Sequence, residues 1–379
     1  MRCDPLGLNC STETIGPSSL SIHSSPFTIY NLLFIIFLVT CHSSHVTCAA
    51  GHGAENAVRY EASHESMGTV FTVAAYGQDR AFLAEVVEQV FEEVDRLDEQ
   101  MSNYKPESEL SAINRQAASH AVAVEPGLFY LLEISVHRSQ ETDGAFDITV
   151  GPLMKSWGFF RGRGRLPSPA EISETLKRVG YQHLKLDAER RTIGFDESGV
   201  EIDLGGIAKG YAVDRAVDIL RANGITSALV SSGTSSIYAL GSPPGSRGWK
   251  ITVRDPYDPR KSGDTFHLQN YSVSVSGSYE KFFRLAGKNY CHIMDPHTGW
   301  PVSGILSTVV VGPTGTDTDG RSAGFFVMGV ERSRKYLALH PNLAVIFYLP
   351  DSAPAKYKRV LLRSDSFNIP PESVVEIDR

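Results

Sequence analysis

The stretch from Val200 to Val213, VEIDLGGIAKGYAV, constrains the fold more than any other, because it changes character twice in fourteen residues. It reads as a short strand carrying a buried acid, Asp203. The Gly205-Gly206 pair follows, then a helix with Ile207, Tyr211, Ala212, Ala216, Ile219 and Leu220 on its apolar face. A glycine turn between strand and helix aims free backbone N–H groups, and the positive end of the helix dipole, at whatever lies beyond it. Two readings stay open from this stretch alone: a phosphate-binding turn, or an ordinary connection in which Asp203 caps the helix. The pair is neither GxGxxG nor a Walker loop.

The other elements are mixed without strict alternation. Val58 to Gly77 alternates as two strands meeting near Met67-Gly68. Ala81 to Met101 is the clearest helix, with Phe82, Val86, Val90, Val94, Leu97 and Met101 at helical steps. Ser108 reads as the cap of a short helix, and further helices are expected over Pro126–Ser139, Thr149–Phe159 and Glu171–Val179. Strands are expected at Leu184–Leu186, Thr192–Phe195, Ala228–Ser232, Ser236–Leu240, Trp249–Val253, Ser272–Ser276 and Ile305–Val311. This order predicts an α+β domain rather than a doubly wound sheet.

With 379 residues and 42% hydrophobic content the chain has material for a full core. Its net charge of −7, with no dense Lys/Arg patch, argues against nucleic acid as the main partner. The loop Arg161-Gly-Arg-Gly-Arg165 is one short basic run, read as a solvated connector.

Residues 1–50 form a leader: Ser/Thr-rich, with Arg2 the only Lys or Arg before Arg59, and with an apolar run from Ile29 to Val39. A processed secretory segment fits this run better than a membrane span. It ends at signal cleavage near Ala50 or at lipid attachment on Cys41 or Cys48, so the protein is expected to be exported, either periplasmic or membrane-anchored facing the periplasm. Cys291 is the single cysteine of the body, which excludes an internal disulfide framework. The tail, 363–379, is polar with two prolines and is expected to be loosely ordered.

Several polar patches are candidates for chemistry. Thr142-Asp143-Gly144-Ala145-Phe146-Asp147 is a turn whose backbone can face a ligand, or an ordinary aspartate-glycine turn. In Tyr290–Pro301 two histidines and Asp295 share a proline-glycine turn, suited to acid–base work or to structure. Asp317, Asp319 and Ser322 open a helix; they are hard oxygen donors for Mg²⁺ or Ca²⁺, or helix caps.

Taken together, these patches resemble the ApbE family, the FAD:protein FMN transferases. The matching pieces are Met67-Gly68-Thr69, MSNYKPESELSAIN from Met101, DGAFDITVGPLMKSWGF from Asp143, EIDLGGIAKGYAVD from Glu201, SSGTSSIYALG from Ser231, SVSGSYEKFF from Ser274, HIMDPHTGWP from His292 and TDTDGRSAGFFVMG from Thr316. The resemblance implies a single domain over 54–362, with mixed, largely antiparallel sheets and packed helices. It also implies an enzyme that cleaves FAD with Mg²⁺ and transfers FMN through a phosphoester to a threonine or serine of a partner flavoprotein, releasing AMP. By matching position, Met67, Tyr104, Ala145, Phe146, Asp147, Asp203, Lys209 and Ile293 would contact FAD. The metal would sit between the Gly206 carbonyl and the side chains of Asp319 and Ser322. His292, held by the Asp295 turn, is the candidate general base.

One departure from the family pattern stands out: its threonine four residues after the metal aspartate is Ala323 here. A metal-dependent FAD pyrophosphatase and a non-catalytic exported flavin binder are the competing readings. The chain lacks the D-G-x-[ST]-G-A-[ST] segment that such enzymes modify, so the acceptor must be a separate protein.

Overall fold

A computed structural model describes residues 57–160, 162–258 and 260–363, and the backbone of 374–378. The leader with Cys41, Cys48 and Ala50, the loop residue Arg161, and 364–373 of the tail lie outside the described residues. In chain order the elements are β1 (Val58–Ser66), β2 (Thr69–Gly77), α1 (Arg80–Met101), α2 (Glu109–Gln116), β3 (Val122–Ala123), α3 (Pro126–Glu141), α4 (Gly151–Ser156), α5 (Pro169–Leu176), β4 (Leu184–Asp187), β5 (Thr192–Phe195), α6 (Ala208–Ala222) and β6 (Ser227–Ser232). Then come β7 (Ser236–Leu240), β8 (Trp249–Arg254), β9 (Ser262–Gln269), β10 (Tyr271–Gly277), β11 (Phe282–Leu285), β12 (Lys288–Cys291), β13 (Ser307–Gly312), α7 (Gly315–Leu337), β14 (Ala344–Pro350), β15 (Tyr357–Arg363) and β16 (Val374–Asp378).

Local chemistry explains the first elements. Ser66 pairs with Thr69, leaving Met67-Gly68 as a two-residue hairpin loop with φ of 51° and 69°, the left-handed region that such loops require. Asp79 accepts the N–H groups of Ala81 and Phe82 and so starts α1. The buried face of α1 is Leu83, Val86, Val87, Val90, Phe91, Val94, Leu97 and Met101. Phe82, expected inside, is turned to solvent, because Leu83 and Phe91 set the phase of the stripe.

The frame is an eight-stranded antiparallel sheet in the order β1-β2-β6-β7-β10-β13-β14-β15. Both faces are covered, so its inner strands are apolar on alternate sides. In β13, Val310 joins the cluster under α7 with Phe325 and Leu337, while Val309 and Val311 join the opposite cluster with Trp249 and Phe266 of the β16-β9-β8 sheet. The largest cluster packs α1, α2, α3 and α6 against β2, β6 and β7. The architecture is the expected α+β arrangement.

One expectation changes. Glu201–Leu204 is not a strand: Asp203 donates its N–H to Ile148 O at 2.7 Å, and the Asn114 amide bridges the N–H and C=O of Ile202 at 2.8 and 2.9 Å. Its backbone partners are a loop and a side chain instead of a ladder. Within the tail, Val374–Asp378 pairs with β9. The β-branched run of VVEID finds an open edge there.

Candidate functional site

The site begins where α6 crosses α7. A Cβ on Gly210 would lie 2.1 Å from Gly315 O and 2.6 Å from Asp319 Cβ, so only glycine lets the two helices touch. Asp214, one turn further along α6, accepts Gly315 N (2.6 Å), Thr316 N (2.8 Å) and Thr316 Oγ1 (2.6 Å), which fixes the start of α7. Burial pushes the Asp214 carboxyl up to about 6 against these hydrogen bonds. Asp214 belongs to the quoted motif, yet sequence reading gave it no role; an acid on the buried side of a helix was the available signal.

This crossing aims Asp319 at α6. Its Oδ2 accepts the Gly210 N–H at 2.8 Å, a contact spanning 109 positions. Burial raises the Asp319 carboxyl above the usual range, and the neighbouring Lys209 ammonium partly offsets that. Lys209 in turn donates to Ser235 Oγ at 2.9 Å, in the turn between β6 and β7. That turn touches the β1–β2 loop, since Gly233 N–H donates to Val70 O and a Cβ on Gly233 would meet Thr69 Oγ1 at 2.4 Å.

The alternating serines of β10 face the start of α7 while its valines face the opposite core. Ser272 and Ser274 meet Thr318 Oγ1 at 3.0 and 2.8 Å, Ser274 donates to Ser236 Oγ, and Ser276 Oγ lies 2.7 Å from Ser322 Oγ. A hydroxyl layer thus lies beside Asp319, in place of a second carboxylate. The sequence showed this only as a period-two Ser-Val pattern.

Of the expected FAD contacts, Lys209 lies in this corner and Phe146 lines it. Its ring lies 3.5 Å from a Cβ built on Gly206 and 3.7 Å from one on Gly320. Ala145 is buried beside it. Asp147 is buried too, but its carboxylate accepts Thr149 N, Thr149 Oγ1 and Tyr181 N, so the side chain braces the turn. Asp203 is half-buried and accepts Gly205 N–H at 2.8 Å; it shapes the glycine turn and does not cap α6, whose N-cap is Ile207. Met67 is half-buried at its hairpin tip, and Ile293 is buried against Cys291 and Phe326. Tyr104 is 42% exposed and stacks on Phe160 at 4.6 Å.

His292 is half-buried, with Nδ1 3.1 Å from Lys281 O. Burial, reinforced by the charges of Lys281 and Lys209, lowers its pKa to about 4. The ring is therefore neutral at pH 7. The Asp295 turn does not hold it: Asp295 accepts from His297 N and Thr298 Oγ1 and faces His297 Nδ1, because the turn is closed on itself.

Among the described residues no three His, Cys, Asp or Glu side chains cluster as a metal site. Asp317, a sequence-level candidate donor, faces away and pairs with Arg138 and Arg321 at 2.7 and 2.5 Å. A hard divalent cation accepts mixed oxygen donors completed by water. The Asp319 carboxylate, the Ser322 hydroxyl and the Gly206 carbonyl are of that kind. Ala323 Cβ lies 3.8 Å from a Cβ built on Gly206, so the position that lacks a hydroxyl faces the glycine turn itself.

The model of the family described as "ApbE family" matches residues 67–347. Among curated proteins, the FAD:protein FMN transferase of Treponema pallidum (strain Nichols) is 32% identical over 81% of this chain and 89% of its own length. That of Salmonella typhimurium is 30% identical over 76% and 83%. Among solved structures, the ApbE protein of Thermotoga maritima superposes with a TM-score of 0.73 at 31% identity, over 82% of this chain and 98% of its own. The flavin transferase ApbE of Vibrio cholerae gives 0.70 at 27% identity, over the same shares.

Proposed function

From the premise that this chain belongs to the ApbE family and is a transferase, we propose that it is an FAD:protein FMN transferase. In this reading it uses a divalent cation, Mg²⁺, and attaches FMN by a phosphoester to a serine or threonine hydroxyl of a separate flavoprotein. The observation that carries the reading is the meeting of Lys209, Asp319 and the Gly206 turn in one corner, although Asp319 and its partner Gly210 are 109 positions apart. Phosphoryl transfer needs mainly positioning and charge stabilisation, and this corner supplies both.

Asp319, Ser322 and the Gly206 carbonyl would hold the cation, which when bound neutralises diphosphate charge. Lys209 places a second positive charge beside it. The positive end of the α6 dipole lies at the same corner. His292, neutral at pH 7, accepts the proton of the acceptor hydroxyl as its oxygen attacks the FMN phosphorus. The bond from that phosphorus to the bridging oxygen breaks, and AMP departs with the electron pair. With the 323 hydroxyl missing, the cation is held more weakly than a threonine at that position would hold it.

The leader, on its composition alone, supports an exported enzyme, soluble in the periplasm or anchored by lipid at Cys41 or Cys48. Among the described residues no helix is long and apolar enough to cross a membrane.

The test is incubation with FAD, Mg²⁺ and an acceptor domain bearing a D-G-x-[ST]-G-A-[ST] segment, reading AMP by chromatography and covalent flavin by intact mass. AMP and flavinylated acceptor in equal amounts are expected. AMP without protein-bound flavin would instead indicate a pyrophosphatase, and bound FAD with no product a passive binder.

A further inference from the structure

Among the described residues the hairpin β11–β12 pairs only with itself. A two-stranded ribbon is marginal in water unless something anchors it. Its base is anchored: Phe283 and Tyr290 lie 6.4 and 5.6 Å from the Trp157 ring, and Phe159 lies 5.5 Å from Phe283. Two other positions are left in water: Phe282, at the base opposite Cys291, is 50% exposed, and Leu285, beside the turn and on the other face of the ribbon, is 44% exposed.

The charge of the ribbon is of one sign, with Arg284 on the face of Phe282 and Lys288 on the face of Leu285, its Nζ 5.2 Å from the Tyr290 ring centroid. Lys281, Arg284 and Lys288 are exposed, no acid occurs from Lys281 to Asn289, and none of the three has an ion-pair partner among the described residues. The adjoining loop adds Arg163, also exposed, and packs on the hairpin where Gly164 meets Phe283. The nearest acid in sequence, Glu280, turns towards Thr234. A local basic surface with exposed apolar side chains on a chain of net charge −7 selects an acidic partner.

This surface is continuous with the site. His292 N–H donates to Lys281 O at 3.0 Å, extending the β11–β12 ladder by one step, so His292 directly continues the ribbon. A chain lying along the ribbon would bring its hydroxyl to His292.

We propose that the β11–β12 hairpin is the docking surface for the acceptor protein, and that it recognises an acidic segment flanking the hydroxyl to be modified. The inference rests on the transferase reading above. Phe282 and Arg284 form the hairpin's contact face, and Leu285 and Lys288 extend it round the turn, with the ribbon edges available for strand addition.

The test uses the full chain with two acceptor domains that share the D-G-x-[ST]-G-A-[ST] segment and differ only in flanking residues, Asp/Glu in one and Asn/Gln in the other. The double variant R284E/K288E is expected to raise KM for the acidic acceptor by about 10-fold. It should leave FAD affinity and the rate at saturating acceptor within about twofold, and should abolish the rise of KM with salt seen for the unmodified enzyme. Phe282→Ser should raise KM for both acceptors. Unchanged KM in both variants overturns the proposal while the transferase reading stands. So does a loss of FAD affinity equal to the loss of transfer, which would place the hairpin in the donor site. A dimer that Phe282→Ser converts to monomer would assign the surface to a second copy, and tighter acidic-acceptor binding on deletion of residues 1–56 would assign it to the chain's own N-terminal segment; either overturns the proposal. No flavin transfer to either acceptor by the unmodified enzyme, with AMP released, removes the transferase reading and this inference with it.

Discussion

Gly210→Ala probes the crossing on which the proposed site depends. The added methyl would lie 2.1 Å from Gly315 O and 2.6 Å from Asp319 Cβ, whereas comfortable contacts are about 3.5 Å. Both obstacles belong to α7, and its first turn is pinned by the hydrogen bonds to Asp214, so α7 cannot yield without straining them. A separation of roughly 1 Å also breaks the Gly210 N–H bond to Asp319, leaving a buried carboxylate short of a donor. Overpacking costs about 1–3 kcal/mol and the lost bond about 1–3 kcal/mol, offset by about 1 kcal/mol from the better helix propensity of alanine. The net loss is about 3 kcal/mol, which lowers Tm by roughly 5–10 °C. Displacing Asp319 by the same distance should lower FMN transfer by about 100-fold. Differential scanning calorimetry and an AMP-release assay measure both quantities. Gly194→Ala is the control, because a methyl there meets only Ala117 O, at 3.7 Å. A Gly210→Ala protein that melts with the control and transfers FMN at full rate would refute the argument.

Ala323→Thr should tighten Mg²⁺ by about 10-fold, measured as the concentration giving half-maximal transfer, with EDTA abolishing transfer in both proteins. With His292 lowered to about 4, the acid limb of the rate profile should fall near that pH and not near 6.5, and His292→Asn should remove transfer while FAD titration still shows binding. The folded state holds the Asp214 proton more tightly than the unfolded chain, so its contribution to stability is fully present below about pH 4 and is lost as pH rises through about 6. Denaturant titrations between those limits should therefore show a rise in stability on acidification that is absent in Asp214→Asn, which should also cost about 2 kcal/mol at pH 7 by turning an amide towards two backbone donors.

Much of the fold was legible because its signals are local. The Met67-Gly68 turn, the Ser108 cap and the stripe of α1 are set by neighbours within a few residues, and the order of the motifs identified the family. Where a long-range partner set the phase, reading by pattern slipped. Phe82 and Leu83 are equally apolar, and only packing against the sheet put Leu83 inside. Likewise Glu201–Leu204 has the alternation of a strand, but Asn114 and Ile148 took the bonds a ladder would have used.

The site divides along the same line. Sequence alone singled out the candidates for chemistry: the glycine pair, Lys209, the two aspartates of α7 and the histidine turn. Tertiary structure alone decided which of them lie together. Asp317 and Asp319 differ by about 200° around one helix, so a single packing choice sent one to Arg138 and Arg321 and the other to Gly210. That choice was made by the close approach of Gly210 and Gly315 and by the Asp214 cap, contacts between segments about a hundred residues apart that no local pattern encodes.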